Sequence, residues 1–135
     1  MGAQNCLAPK GSAMLAIDVL PDRNIVVLTP DGPLTAADFA RAAQAIDPLM
    51  AANGKLAGLM IHAPSFPGWR DFDAVKAHLT FVRDHQRRID RLAVVTDSAF
   101  VKTMAGIAGA FVHPEVRQFG FGEKERALAW LETGQ

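Results

Sequence analysis

At 135 residues, half of them hydrophobic and 21% charged, the chain is long enough to bury one core and too short for two ordinary domains. Its 14 Lys and Arg balance its 14 Asp and Glu, which excludes a global field that would draw it to nucleic acid or an anionic membrane. Cys6 is the only cysteine, so no intramolecular disulfide can form and a reducing cytoplasm is the expected home.

Residues 1–12 are small and polar, with Pro9 and Gly11, and read as a flexible leader to one domain over residues 13–135. They lack the charged start and sustained apolar run of a signal peptide. Met14 to Leu20 and Ile25 to Thr29 read as strands. Pro21-Asp22-Arg23-Asn24 between them is turn chemistry short enough to force an antiparallel hairpin. Thr35, followed three residues later by Asp38, predicts a capped helix start. That helix carries Phe39, Ala43, Ile46 and Met50 at helical spacing and stops at Asn53-Gly54.

Within the strands Lys55 to His62 and Arg91 to Thr96, Leu56 to Ile61 is nearly continuous apolar and Leu92 to Val95 repeats that character, as expected of parallel strands covered on both faces. Between them lie Phe66-Pro67-Gly68-Trp69 and a helix from about Asp71 to Arg88. Indexed at about 100° per residue, this helix places Phe72, Val75, Leu79 and Val82 on one apolar arc. His78 and His85 fall on its shoulder. Asp97 or Ser98 is positioned to cap a further helix over about Ala99 to Phe111, apolar nearly all round except for Lys102. That helix is short of the roughly 20 residues that span a bilayer, so something must cover it. Glu115 to Phe119 reads as a last strand and Glu123 to Glu132 as a terminal helix. The expected fold is a mixed α/β sheet with an N-terminal antiparallel hairpin, in the order ββαβαβαβα.

Four motifs resemble those of the SpoIIAA-like family, which is grouped with STAS and Sec14-type domains. They are Phe66-Pro67-Gly68-Trp69, Arg91-Leu92-Ala93-Val94-Val95 followed by Asp97, Pro114-Glu115-Val116-Arg117-Gln118-Phe119, and Ala127-Leu128-Ala129-Trp130-Leu131. The resemblance implies a small STAS-like mixed sheet without established enzymatic activity. It further implies binding of nonpolar ligands, or association with membranes through mobile helices. Related anti-sigma-factor antagonists switch partners by phosphorylation of a hydroxyl residue before the helix that follows a central strand. Ser65 occupies the corresponding loop, and the Asp-Ser run usual in those antagonists is absent. His62 stands where the family often has an acidic residue, and Phe100 where Trp is common.

Phe66, Trp69, Phe72, Val75 and Leu79 are expected on one side of a nonpolar ligand site, with Phe100, Met104, Ile107 and Phe111 on the other. Ordinary core burial is the competing explanation for the same residues. His62, His78, His85 and His113 are scattered, and no metal or other cofactor is expected. Ser65 or Ser98 with His62 and Asp97 is the only candidate hydrolase constellation, and neither serine sits in a Gly-x-Ser-x-Gly elbow. The expected function is therefore a non-enzymatic cytoplasmic binding domain for a nonpolar small molecule or lipid, with peripheral membrane contact and self-association both open. The alternative is a regulatory protein-interaction module of the anti-sigma-factor-antagonist type. Nucleic acid is not an expected partner.

Overall fold

A computed structural model describes residues 14–65, 68–99, 101, 103, 106–107 and 112–134. The leader lies outside the described residues. Strands β1 (Leu15–Leu20) and β2 (Ile25–Pro30) form the expected hairpin. Its turn is closed by bonds from Arg23 N–H to Leu20 O and from Asn24 N–H to Pro21 O. Asn24 takes the left-handed conformation that Asn tolerates better than most residues, at φ 58°.

Helix α1 (Ala36–Asn53) starts on a complete capping box. The Thr35 hydroxyl accepts from Asp38 N–H, and the Asp38 carboxylate accepts from Thr35 N–H at 2.9 Å. The same buried carboxylate also takes Met14 N–H and an Arg41 guanidinium N–H, tying the helix start to the chain entering β1. Gly54, at φ 81°, closes the helix by donating its N–H to Met50 O, as the Asn-Gly pair predicts. β3 (Leu56–His62), α2 (Phe72–His85) with a 3-10 turn over Gln86–Arg88, β4 (Ile89–Val95), β5 (Glu115–Phe119) and α3 (Lys124–Thr133) complete the named elements. Between β4 and β5, Ala99, Val101, Thr103, Gly106 and Ile107 are helical.

The sheet order is β1-β2-β3-β4-β5, with β2 to β5 parallel. Parallel strands laid down in sequence order need crossovers of one hand, and these put successive connections on the same face. The two faces accordingly carry different loads. On one, α1 contributes Phe39, Ala42, Ile46 and Met50 to a core with Val26, Leu28, Leu56 and Leu59. On the other, α3 buries Ala127, Leu128, Trp130 and Leu131 against Val27, Met60, Ala93 and Phe119.

Gly58 in β3 is what lets α3 come close. A Cβ there would stand 2.8 Å from Leu131 Cβ and 2.9 Å from Leu131 Cδ2. Leu131 Cβ is fixed to the backbone and cannot swing aside without moving the helix. Gly58→Ala is expected to destabilise the fold by about 1–3 kcal/mol, measured as a lowered urea midpoint with an unchanged slope. An unaltered midpoint would mean that α3 sits less tightly on β3 than this geometry requires.

Helix α2 packs on α1 through small residues and rings. Its arc of large apolar residues is divided: Phe72 is 72% exposed and Leu79 66% exposed, while Val75 and Val82 are half-buried. The face turned inward carries Ala74, Ala77, His78, Phe81 and His85 instead. Small alanines allow α1 and α2 to approach, and rings fill the remaining seam. His78 stacks on Phe39 at 4.8 Å between centroids, Phe81 on His85 at 4.5 Å. His85 is fixed further by Phe81 O at 2.8 Å and Asp47 Oδ1 at 2.9 Å. An aromatic stack and a His–Asp bridge secure this helix against α1.

Candidate functional site

Because α2 packs on α1 and makes few contacts with the sheet, the crossover face is incompletely filled. A cavity of about 520 Å³ lies there. Its floor follows from strand register. Leu28, Ile61 and Val94 align across β2, β3 and β4, and Leu59, Leu92 and Val116 align across β3, β4 and β5. Every second residue of a strand points to one face, so these six form two parallel apolar rows. Phe39 and Ala42 of α1 and Phe81 and Val82 of α2 form the roof, and Val101, Val112 and Pro114 also line it. Trp69 and Leu79 line it as well while remaining substantially exposed, which places them at its mouth.

Backbone bonds hold Trp69 there. Leu34 N–H donates to Gly68 O at 2.8 Å and Arg70 N–H to Leu34 O at 2.7 Å, forming an isolated parallel bridge between Leu34 and Trp69. Gly68 meets this path with φ 93°, a conformation open to glycine. Asp71 then caps α2 by accepting from Ala74 N–H at 3.0 Å.

The SpoIIAA-like family model matches residues 25–132, a span that includes the whole parallel sheet, α1, α2 and all but the last residue of α3. The chain belongs to the SpoIIAA-like family. A crystal structure of an uncharacterized DUF3478-family protein with a SpoIIAA-like fold from Shewanella loihica PV-4 superposes with a TM-score of 0.68. It is 20% identical, over 87% of this chain and 91% of that one, and the likeness shows the fold. No curated protein matches the chain.

Within this SpoIIAA-like domain, the sequence-predicted site residues divide. Trp69 and Leu79 border the cavity. Phe72, Val75 and Ile107 are not among its lining residues; Phe72 faces solvent with Lys76 Nζ over its ring at 5.7 Å. Phe66, Phe100, Met104 and Phe111 lie outside the described residues. The floor and roof residues were not singled out from sequence. The available signal was the period-two pairing of Leu59 with Ile61 and Leu92 with Val94, masked by the equally apolar residues between them.

Ser98, Asp97 and His62 each have a structural engagement. The Ser98 hydroxyl accepts from Val101 N–H at 3.2 Å and so caps the following helical residues, while Asp97 Oδ1 accepts from Phe121 N–H at 3.0 Å. His62 stacks on Phe121 at 4.5 Å. Ser65 is exposed on the loop after β3. Among the described residues no group of three or more His, Cys, Asp or Glu could hold a metal ion. No helix among them is long and apolar enough to cross a membrane.

His78 is the polar group most closely tied to the cavity. Trp69 Nε1 donates to its Nδ1 at 3.1 Å. An indole nitrogen only donates, so this bond requires a neutral ring with its proton on Nε2. Burial holds the His78 pKa below the usual histidine value. The folded state therefore resists a proton that the unfolded chain accepts. Stability is full above about pH 6.5 and is lost as pH falls from there through the lowered folded-state value. His62 is also lowered, by burial and then by Lys124, and adds in the same direction. The urea midpoint is expected to drop between about pH 7.5 and about pH 5, and to drop less in His78→Phe. An identical drop in the variant would assign the whole pH response elsewhere.

Proposed function

We propose that this SpoIIAA-like domain is a non-enzymatic binding module that holds a nonpolar, lipid-like molecule between its sheet and its crossover helices. The supporting observation is the apolar cavity of about 520 Å³, within the roughly 300–1,000 Å³ usual for small-molecule sites. A helix that leans on its neighbour instead of the sheet can move aside at modest cost, since few sheet contacts need to break. The mouth between Trp69 and Leu79 is the route of entry. Titration with the solvatochromic dye Nile red, together with native mass spectrometry of the freshly purified protein, tests this. Saturable blue-shifted emission or a co-purified nonpolar mass is expected. Absence of both would remove the proposal.

A second reading has its own observation. Phe72 and Leu79 lie seven residues apart on one side of α2 and are 72% and 66% exposed, which supports a docking role for that helix as a regulatory interaction module or at a membrane surface. Pelleting with liposomes that is lost in a Phe72→Asp, Leu79→Asp variant would favour membrane contact. Capture of a defined protein partner sensitive to the same variant would favour regulation.

A further inference from the structure

The cavity's chemistry narrows the ligand class, an inference that rests on the binding function proposed above. Among the described residues lining it there is no Asp, Glu, Lys or Arg. Its polar side chains are Trp69, His78, His85 and Gln86. Both ring nitrogens of His85 face acceptors, Phe81 O and the Asp47 carboxylate; the two bonds form together only when the ring carries both protons, which pairs it with Asp47 and leaves it no N–H for a ligand. Gln86 Oε1 accepts from His113 N–H, which fixes the amide so that its NH2 group is the remaining polar end. His78 Nδ1 accepts from Trp69, so Nε2 carries the proton. Among the described residues Nε2 has no hydrogen-bond partner.

The donors left for a ligand among the described residues, then, are the uncharged N–H groups of His78 and Gln86 in an apolar lining. We infer that the cavity selects neutral nonpolar molecules bearing a hydrogen-bond acceptor, such as an ester or ketone, and discriminates against the carboxylate of a free fatty acid. A neutral carbonyl can take the His78 Nε2–H bond at little desolvation cost. A carboxylate would leave water for a space where, among the described residues, the one ring able to carry charge, His85, is already paired with Asp47, and buried charges without a partner are strongly disfavoured. Protonating His78 to supply the cation would break its bond from Trp69, and burial already opposes that proton. At about 30 Å³ per water-sized group, a cavity of about 520 Å³ accommodates roughly 17 non-hydrogen atoms, the size of a medium-chain acyl ester.

Displacement of Nile red from the full chain by methyl decanoate, decanoate and undecane, at about pH 8 where the acid is ionised, separates the possibilities. Methyl decanoate is expected to displace the dye at least ~10-fold more tightly than decanoate. His78→Phe keeps a ring in the stack and removes the donor. It should weaken the ester by about 3- to 10-fold and leave undecane unchanged. Decanoate equal to or tighter than the ester would overturn the ligand class while leaving the cavity as a binding site. Equal losses of ester and undecane in His78→Phe would overturn the donor role of His78. Failure of the dye and all three compounds to bind would overturn the binding function itself, and this inference with it.

Discussion

Leu92→Trp is expected to weaken Nile red binding by about 10- to 100-fold while leaving the fold as stable as before or more so. Leu92 sits in the middle of the cavity floor, aligned with Leu59 on one side and Val116 on the other. An indole there would occupy space now unfilled. In a packed core such an enlargement costs about 1–3 kcal/mol, whereas filling a void commonly adds about 0.5–2 kcal/mol. The sign of the stability change therefore reports whether the space is real. A loss of both binding and stability would mean that Leu92 is tightly packed and that the sheet has no accessible apolar floor. Phe72→Ala, on a side chain that does not line the cavity, should leave dye affinity unchanged.

Trp130→Ala is expected to have the larger effect on stability, about 3–5 kcal/mol. Trp130 is 3% exposed on the face opposite the cavity. It meets the Phe119 ring at 5.9 Å between centroids, with the Arg91 and Arg117 guanidinium groups over its own ring at 6.0 and 5.9 Å. α3 is short, and Trp130 is the largest of its buried side chains, with Ala127, Leu128 and Leu131. Against a total stability of about 5–15 kcal/mol, the loss should appear as a large fall in the urea midpoint. Trp69→Ala, at 41% exposure, should cost less than half as much. Equal costs at the two tryptophans would contradict the division into a closed face under α3 and a yielding face under α2.

This division explains which features were legible in the sequence. The hairpin, the Thr35–Asp38 capping box, the Gly54 stop and the Ser98 cap depend on residues adjacent in the chain, and local chemistry foretold each. The order of strands and helices was legible for the same reason, since apolar runs and Gly or Pro breaks mark most boundaries. The orientation of α2 was not. It depends on Ala77 packing against the core under α1, on Phe39 stacking with His78, and on Asp47 reaching His85 across 38 residues of chain. A hydrophobic arc of Phe72, Val75, Leu79 and Val82 gives no hint of that.

The candidate site shows the same limit. Trp69 stood out because a large aromatic in a Pro-Gly loop is locally conspicuous, and it borders the cavity. The floor residues are ordinary strand aliphatics, and only the pairing of β2, β3, β4 and β5 brings Leu28 beside Ile61 and Leu92 beside Val116. The cavity is a property of where α2 is not. No residue type announces an absence of packing, so a site made by an ill-covered sheet face is visible only once the helices are in position.

The most direct test is a crystal structure grown in the presence of methyl decanoate. The account predicts elongated density lying across Leu59, Leu92 and Val94 beneath Phe39 and Phe81, with its carbonyl end within hydrogen-bond distance of His78 Nε2. A cavity closed by α2 settling onto the sheet, or density found only on the outer surface at Phe72 and Leu79, would contradict it.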